Sequence, residues 1–221
     1  MALNVIMLGP PGAGKGTQAE RAARKLGIPK ISTGEILREA VHDGTELGLR
    51  ARAIMDRGEL VSDDVMIGVV RSRLGRPDAA AGFILDGFPR TVAQATALDV
   101  IMNGRDPLIV LDMVVPETEL VRRLSTRLIC ANCGHNAPLG HAEPGDHCEI
   151  CGGELVQRTD DSQAVVIERL KVYRTSTAPL VDFYRVRPTF RSINGAQAPD
   201  LVAAELAAAI GALSNGGGPH R

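Results

Sequence analysis

The chain has 221 residues, of which 44% are hydrophobic and 23% are charged, and its formal net charge is -1. This length predicts one domain, or a core with a modest insertion, that buries most of its unfolded surface. The near-neutral charge and the scarcity of aromatic residues, with no Trp, argue against a nucleic-acid or membrane partner.

The amino-terminal segment is apolar from Met1 to Leu8, lacks a basic leader and ends at Gly9-Pro10-Pro11. Such a run is too short for a secretory signal or a membrane span. We therefore expect a cytoplasmic protein. Thiols stay reduced in that compartment, which favours metal ligation over disulfide bonds for the four cysteines.

Short apolar runs alternate with helical patterns along the chain. A strand is predicted over residues 3–8, followed by a glycine-rich turn and a helix over Gln18–Leu26 that Gly27 ends. Further strands are predicted at 83–85, 108–111 and 190–193. Strands that alternate with helices predict an α/β fold, in which a parallel sheet is covered by helices on both faces.

Two segments interrupt this alternation. Residues 34–75 are helical in pattern, with Gly44, Gly58 and Gly75 as expected helix ends, and residues 128–160 contain all four cysteines. A helix then follows over Gln163–Val186, which Pro179 should kink or divide. The last helix is expected over residues 200–213, with a disordered tail at 214–221.

A phosphate-binding loop is predicted at Gly9-Pro-Pro-Gly-Ala-Gly-Lys-Gly-Thr17, because this motif follows a strand and opens a helix. Its backbone N–H groups and Lys15 suit phosphate oxygens. The alternative is a tight glycine turn with a surface lysine. Gly16 stands where a hydroxyl residue usually follows the lysine, so we do not expect this loop to bind Mg²⁺ directly.

Several motifs together resemble adenylate kinase in its long-lid bacterial form, and the resemblance runs nearly end to end. They are Gly9–Gln18, Ser32–Arg38, Leu85–Thr91 with Gln94, Arg158 with Asp160 and Asp161, and Arg169. The resemblance implies a nucleoside monophosphate kinase fold with a core (1–31, 62–123 and 162–213), a helical AMP-binding part (32–61) and a lid (124–161). It also implies ATP with Mg²⁺ and AMP as substrates, and a monomer.

The resemblance also implies the site residues. Those for ATP are Gly12, Ala13, Gly14, Lys15, Gly16, Thr17, Arg123, Arg127, Asn136, Ala137 and the backbone of Gln197. Those for AMP are Thr33, Arg38, Glu59, Leu60, Val61, Gly87, Phe88, Pro89, Arg90, Gln94, Arg158 and Arg169. Those for catalysis are Lys15, Asp86, Arg90, Arg123, Arg127, Arg158 and Arg169.

The residue chemistry agrees with these roles. Arg38 and Arg90 can bind a phosphate through two donors each. The amide of Gln94 can read an adenine edge, although Thr91-x-x-Gln94 also fits a helix-capping box. Asp86 can orient Mg²⁺-bound water or simply cap the end of a strand. No strong base is needed, because the attacking AMP oxygen is already ionised.

The cysteines form two C-x2-C knuckles, Cys130 with Cys133 and Cys148 with Cys151. This pattern predicts a tetrahedral thiolate site for structural Zn²⁺, since four cysteines leave no position for water. The segment departs from the family pattern at Leu128 and at Asn136-Ala137, where relatives often have an arginine and an aromatic residue. Adenine packing under the lid is therefore expected to be weaker.

Three other functions fit parts of the sequence. A UMP/CMP kinase would share the phosphate loop and the Gly-Phe-Pro-Arg turn, but Thr33 and Gln94 favour AMP. A zinc-ribbon nucleic-acid protein with an ATPase core conflicts with the near-neutral charge. A catalytically silent phosphate-loop scaffold conflicts with the presence of Lys15, Asp86 and the arginines.

Overall fold

The computed structural model of the chain describes residues 2–137, 140 and 142–215. Its strands are β1 (Leu3–Leu8), β2 (Lys30–Ser32), β3 (Gly82–Asp86), β4 (Leu108–Val114), β5 (Leu128–Cys130), β6 (Leu155–Gln157) and β7 (Phe190–Asn194). Five of them form one parallel sheet in the order β2-β3-β1-β4-β7, while β5 and β6 pair antiparallel in a separate two-stranded sheet. The predicted α/β class and parallel sheet are confirmed.

Helices connect the strands of the large sheet. They are α1 (Lys15–Leu26), α2 (Thr33–His42), α3 (Glu46–Asp56), α4 (Asp63–Leu74), α5 (Val92–Ile101), α6 (Glu117–Ser125), α7 (Gln163–Val172), α8 (Pro179–Arg185) and α9 (Pro199–Asn215). Short 3₁₀ turns lie at Pro77–Ala79 and Thr159–Asp161, and a π-helical turn at Tyr173–Thr177 joins α7 to α8. No helix in these described residues is both long and apolar enough to cross a bilayer.

Helices cover both faces of the sheet. Because successive side chains of a strand point in opposite directions, each central strand is buried on both sides. In β1, Val5 and Met7 pack against α1 and α9, whereas Ile6 and Leu8 pack on the other face against α4, α5 and α8. Each face has its own apolar cluster. This arrangement fixes the carboxyl ends of β1, β3 and β4 at one edge, where the candidate site lies.

Element boundaries differ from the predictions in understandable places. The helix after the glycine-rich turn begins at Lys15 rather than Gln18, because Gly14 (φ 90°) turns the chain directly into the helix. Strand β4 continues past Leu111 to Val114, and so contains Asp112. The three-residue β2 was not predicted, since so short a strand has no periodicity to read.

The helical segments follow their glycine and proline signals. Gly44 and Gly58 adopt left-handed conformations (φ 64° and 74°) after α2 and α3, whereas Gly75 ends α4 in the right-handed region. Pro179 begins α8 after the π-helical turn, so the long helix is divided as expected. Helix α9 runs to Asn215, beyond the predicted end at 213, and residues 216–221 of the predicted tail lie outside the described residues.

A close approach of α2 and α3 depends on Gly48, where an added Cβ would lie 1.9 Å from the carbonyl oxygen of Ala40. We expect Gly48→Ala to force these helices apart and to destabilise the protein by about 1–3 kcal/mol, as overpacking does. Thermal denaturation followed by circular dichroism measures the change.

The matched control is Gly68→Ala on α4, where an added Cβ meets no atom within 4 Å. This exchange should stabilise the exposed helix by up to about 1 kcal/mol, because alanine has the higher helix propensity. Equal melting temperatures for the two variants would contradict the proposed close contact.

Candidate active site

The phosphate-binding loop lies where the strand order of the sheet reverses, since β1 has β3 on one side and β4 on the other. Open parallel sheets bind ligands in the crevice outside the carboxyl ends of such strands. The Lys15 ammonium lies along the inside of this loop, donating to the carbonyl oxygens of Gly9 (2.7 Å) and Pro10 (2.8 Å). The predicted strand, loop and helix are therefore all present.

Burial and several charged side chains act on the Lys15 ammonium. Burial lowers its pKa to about 8, Asp86 opposes this shift, and the nearby cations of Arg90, Arg169 and Arg127 reinforce it. An anion bound at the loop would relieve the repulsion among these cations and stabilise the protonated lysine. The electrostatics of the loop thus favour a phosphate ligand.

Asp86 ends β3 and faces the start of α1. An added Cβ at Gly16 would lie 3.4 Å from its Oδ2 atom, so the carboxylate lies in van der Waals reach of the first turn of this helix. Ser32 Oγ lies 3.5 Å from the same oxygen. Carboxylate oxygens are the ligands that Mg²⁺ prefers, and Asp86 could hold a hydrated magnesium ion here.

A cleft lies between α2, α3 and the turn that follows β3. Its walls include most residues expected to bind AMP, together with neighbours from the same elements. They are Thr33, Gly34, Leu37, Arg38, Met55, Gly58, Glu59, Leu60, Val61, Met66, Gly87, Arg90, Gln94, Arg158, Asp160 and Arg169. Phe88 and Pro89 lie behind this surface, with Phe88 buried in the core and Pro89 following a cis peptide bond.

Two adjacent aspartates bind the arginines that border this cleft. Asp161, whose side chain is fully buried, accepts two hydrogen bonds from Arg127 (both 2.6 Å) and one from Arg169 (2.7 Å). Asp160 binds Arg158 in a bidentate pair, and its carbonyl oxygen accepts from Arg169 (2.9 Å). Cations from α7 and from both ends of the cysteine segment thus converge on one short turn.

Burial and mutual repulsion act on these cations. Burial, reinforced by the neighbouring Arg158, lowers the pKa of Arg38 and of Arg169 to about 10 each. Burial opposes the charged form of Asp160 as well, but Arg158 and Arg169 outweigh it and hold its pKa at about 2. A bound phosphate would supply the anionic charge that this group of arginines favours.

Arg90 is held at its backbone as well as its side chain. Its N–H donates to Gln94 Oε1 (2.7 Å), its carbonyl oxygen accepts from Thr177 Oγ1 (2.9 Å), and its Nε donates to the Gly87 carbonyl oxygen (2.8 Å). Thr177 belongs to the π-helical turn, so that turn contacts the cleft wall. Among the described residues, no hydrogen bond uses the terminal nitrogens of Arg90, so they can donate to a ligand.

The capping-box alternative for Gln94 is only half realised. Thr91 Oγ1 caps α5 by accepting from the Gln94 N–H (3.1 Å). The Gln94 side chain does not return to Thr91; its Oε1 accepts from Arg90 and its Nε2 donates to Asp63 Oδ1 (2.8 Å). The amide lines the cleft wall, bound by Arg90 and Asp63.

Apart from the phosphate loop and Arg127, the residues expected to contact ATP lie in two other places. Arg123 donates to Glu119 (2.7 Å) and to the Gly195 carbonyl oxygen (3.0 Å), while the Gln197 side chain donates to Glu205 (2.7 Å). An added Cβ at Gly195 would lie 3.3 Å from the Ala13 carbonyl oxygen, which places this loop against the phosphate loop. Asn136 and Ala137 lie in the cysteine segment and pair with β5.

Sequence reasoning missed Asp63, Asp112 and Thr177. Asp112 is 5% exposed beside β1, and its Oδ1 has no hydrogen-bond partner among the described residues. Burial raises its pKa, and Lys15 opposes the shift. An acidic residue within an apolar strand was the available signal for Asp112. No local pattern indicated Asp63 or Thr177, since their partners are distant in sequence.

The four cysteines meet in space. Their sulfur atoms all lie within 4.8 Å of one another, with Cys130 to Cys151 at 3.4 Å and Cys133 to Cys148 at 3.7 Å. A tetrahedral zinc ion with Zn–S bonds of about 2.3 Å separates its sulfurs by about 3.8 Å. Backbone N–H groups of each knuckle also point at sulfur, as when the Ile150 N–H donates to Cys148 (3.4 Å). The cluster therefore fits a tetrahedral metal ion.

Comparisons with known proteins agree with this geometry. The family model described as adenylate kinase matches residues 7–189. An adenylate kinase of Archaeoglobus fulgidus is 53% identical over 87% of this chain and 91% of its own length. Those of Methanosarcina barkeri and Syntrophobacter fumaroxidans are 47% and 46% identical, over 94% and 95% of this chain and 98% and 100% of their own lengths. From the site geometry, the family match and these long alignments together, we conclude that the chain belongs to the adenylate kinase family.

Proposed function

We propose that this chain transfers the terminal phosphoryl group of ATP to AMP, reversibly, to give two molecules of ADP. One observation carries the proposal: the same arginine side chains lie beside both the phosphate loop and the cleft. Arg90 and Arg169 line the cleft and also act electrostatically on Lys15 in the loop. Two anionic ligands, one in each place, would meet across these shared cations.

The reaction needs alignment and charge neutralisation more than proton transfer. An ionised oxygen of the AMP phosphate attacks the γ-phosphorus of ATP, a new P–O bond forms, and the bond from that phosphorus to the β–γ bridging oxygen breaks. ADP leaves with that electron pair, and no proton has to move. Fixed arginines stabilise the charge on the transferred group, and a single such arginine contributes about 10³-fold or more in rate.

The chain's own residues divide this work. We assign the ATP phosphates to the loop from Gly12 to Thr17 and the AMP phosphate to Arg38 and Arg90. The transferred group would be bound by Arg127, which would also contact ATP, and by Arg158 and Arg169, which would also contact AMP. Arg123, the Gln197 backbone, Asn136 and Ala137 would border the ATP base and ribose. The remaining AMP contacts would come from Thr33, Glu59 to Val61, Gly87 to Pro89, and Gln94.

The same proposal covers the division of the chain. Residues 1–31, 62–123 and 162–213 would form the core, residues 32–61 the AMP-binding part, and residues 124–161 a lid. We also propose that the protein is a monomer and that it acts in the cytoplasm. Asp86 would hold Mg²⁺ that arrives with ATP, and this ion would neutralise phosphate charge. The four cysteines would hold a structural Zn²⁺.

The direct test is a coupled assay with ATP and Mg²⁺ and with AMP, GMP, CMP or UMP supplied separately. We expect AMP to be strongly preferred, and Lys15→Met to lower kcat at least about a hundredfold, because it removes a point charge from the reacting phosphates. The variant should melt no earlier than the wild type, since it also removes a buried charge. Predominant turnover of CMP or UMP would contradict the proposal.

The pH dependence follows from Lys15. Because its pKa is about 8 in the free protein, kcat/KM for ATP should be level below pH 8 and should fall about tenfold per unit above it. Bound phosphates raise the lysine pKa, so kcat itself should stay level to higher pH. A kcat/KM profile that remains flat to pH 10 would contradict a lowered lysine pKa in the free protein, whereas the Lys15→Met variant tests the role of the charge itself.

Metal removal should act on stability. With Zn²⁺ held by four thiolates and closed to water, a chelated sample or the Cys130→Ser/Cys148→Ser variant should melt earlier and lose hydrogen-exchange protection over residues 128–160. The sheet should keep its protection. The kcat should fall because Arg127 and Arg158, at the two ends of the cysteine segment, would no longer be held at the transferred phosphoryl group. Elemental analysis before and after chelation gives the metal content. Loss of all activity with an unchanged melting curve would refute this structural role.

A further inference from the structure

The side-chain amide of Gln94 has only one possible orientation in this structure. Its Oε1 faces the Arg90 N–H at 2.7 Å, and a backbone N–H can only donate. Its Nε2 faces Asp63 Oδ1 at 2.8 Å, and an ionised carboxylate can only accept. Exchanging the oxygen and nitrogen of the amide would place donor against donor and acceptor against acceptor.

The partners of Asp63 reinforce this orientation. Its second oxygen, Oδ2, accepts from Thr91 Oγ1 (3.0 Å), and that hydroxyl in turn accepts from the Gln94 N–H (3.1 Å). The hydroxyl proton is therefore directed at Asp63. Gln94 is 2% exposed and sits in the cleft wall, whereas Asp63 lies behind it at the start of α4. Each of the four hydrogen bonds that link Arg90, Gln94, Thr91 and Asp63 therefore has a defined donor and acceptor.

A fixed amide can discriminate between bases that a rotating amide would accept equally. Oε1 keeps one further lone pair and Nε2 one further N–H. Adenine presents an amino donor at N6 beside an acceptor at N1, which matches this pair in one order. A 6-oxopurine presents the reverse, an oxygen acceptor beside an N1–H donor, and would require the amide to turn over.

We propose that Asp63 is a specificity-determining residue, which locks the Gln94 amide in the orientation that accepts a 6-aminopurine monophosphate and rejects a 6-oxopurine one. This rests on the proposed function, in which Gln94 borders the base of the acceptor nucleotide. Asp63 acts through Gln94 and is a positioning residue. A hydrogen bond to a charged partner is strong enough to set such a preference.

The test compares AMP with IMP, which differ at position 6 and in the N1 proton. We would measure the KM for AMP and the inhibition constant of IMP against AMP in the wild type and in Asp63→Asn. The asparagine amide can donate or accept, so the part of the lock that Asp63 supplies is released, while the Arg90 N–H still favours the original orientation. We expect the ratio of IMP inhibition constant to AMP KM to fall about tenfold, mainly through tighter IMP binding.

The matched control is Asp64→Asn, because Asp64 lies in the same first turn of α4, carries the same charge and is exposed. Its ratio should stay at the wild-type value. Asp63→Ser, whose hydroxyl can also donate or accept, should behave as Asp63→Asn does and provides a second variant should one fold poorly. In a Gln94→Ala background, Asp63→Asn should leave the ratio unchanged, because the residue acts through the amide.

An unchanged ratio in both Asp63 variants would overturn the proposal, as would equal weakening of AMP and IMP, which indicates a structural role alone. The same ratio change in Asp64→Asn would also overturn it, because the effect would then come from the helix terminus. The wild-type assay separates these outcomes from failure of the proposed function, since a protein that does not phosphorylate AMP would be recognised before any variant is compared.

Discussion

The ion pairs of Asp160 and Asp161 hold the site together. They bind Arg127, Arg158 and Arg169, which belong to three different parts of the chain. Buried charges of one sign repel each other and lose hydration, and either effect alone would drive these arginines out into water. The two carboxylates offset part of this cost and leave an excess of positive charge beside the phosphate loop. A phosphate group completes the balance, so the same electrostatics explain both the compact site and its preference for anionic ligands.

Hydrogen bonds to backbone and amide groups also determine the shape of the site. The Arg90 peptide is bound on both sides, by Gln94 at its N–H and by Thr177 at its carbonyl oxygen. These two bonds fix the backbone position from which the Arg90 side chain extends. They also fix which atom of the Gln94 amide faces Arg90. The anion-binding residue and the residue that borders the base are thus positioned by one network, which also reaches Asp63.

Strand and helix signals in the sequence were strong because the sheet is buried on both faces. Apolar runs located β1, β3, β4 and β7, and glycines located the ends of α1, α2 and α3. The three-residue β2 was missed because it has no period. The site residues named from motifs largely gather around one cleft and one loop, but Asp112 was missed because its strand was taken to end at Leu111.

The sequence by itself determined the chemistry available: a phosphate loop with its lysine, a set of arginines, and two cysteine pairs with metal-ligand spacing. Such features are local, and short spacings largely fix their geometry. Only the tertiary structure decided which groups face each other. The contact of Thr177 with Arg90 spans 87 residues and that of Gln94 with Asp63 spans 31. Donor and acceptor directions across such distances depend on how α4, α5 and the π-helical turn pack, which no local pattern encodes.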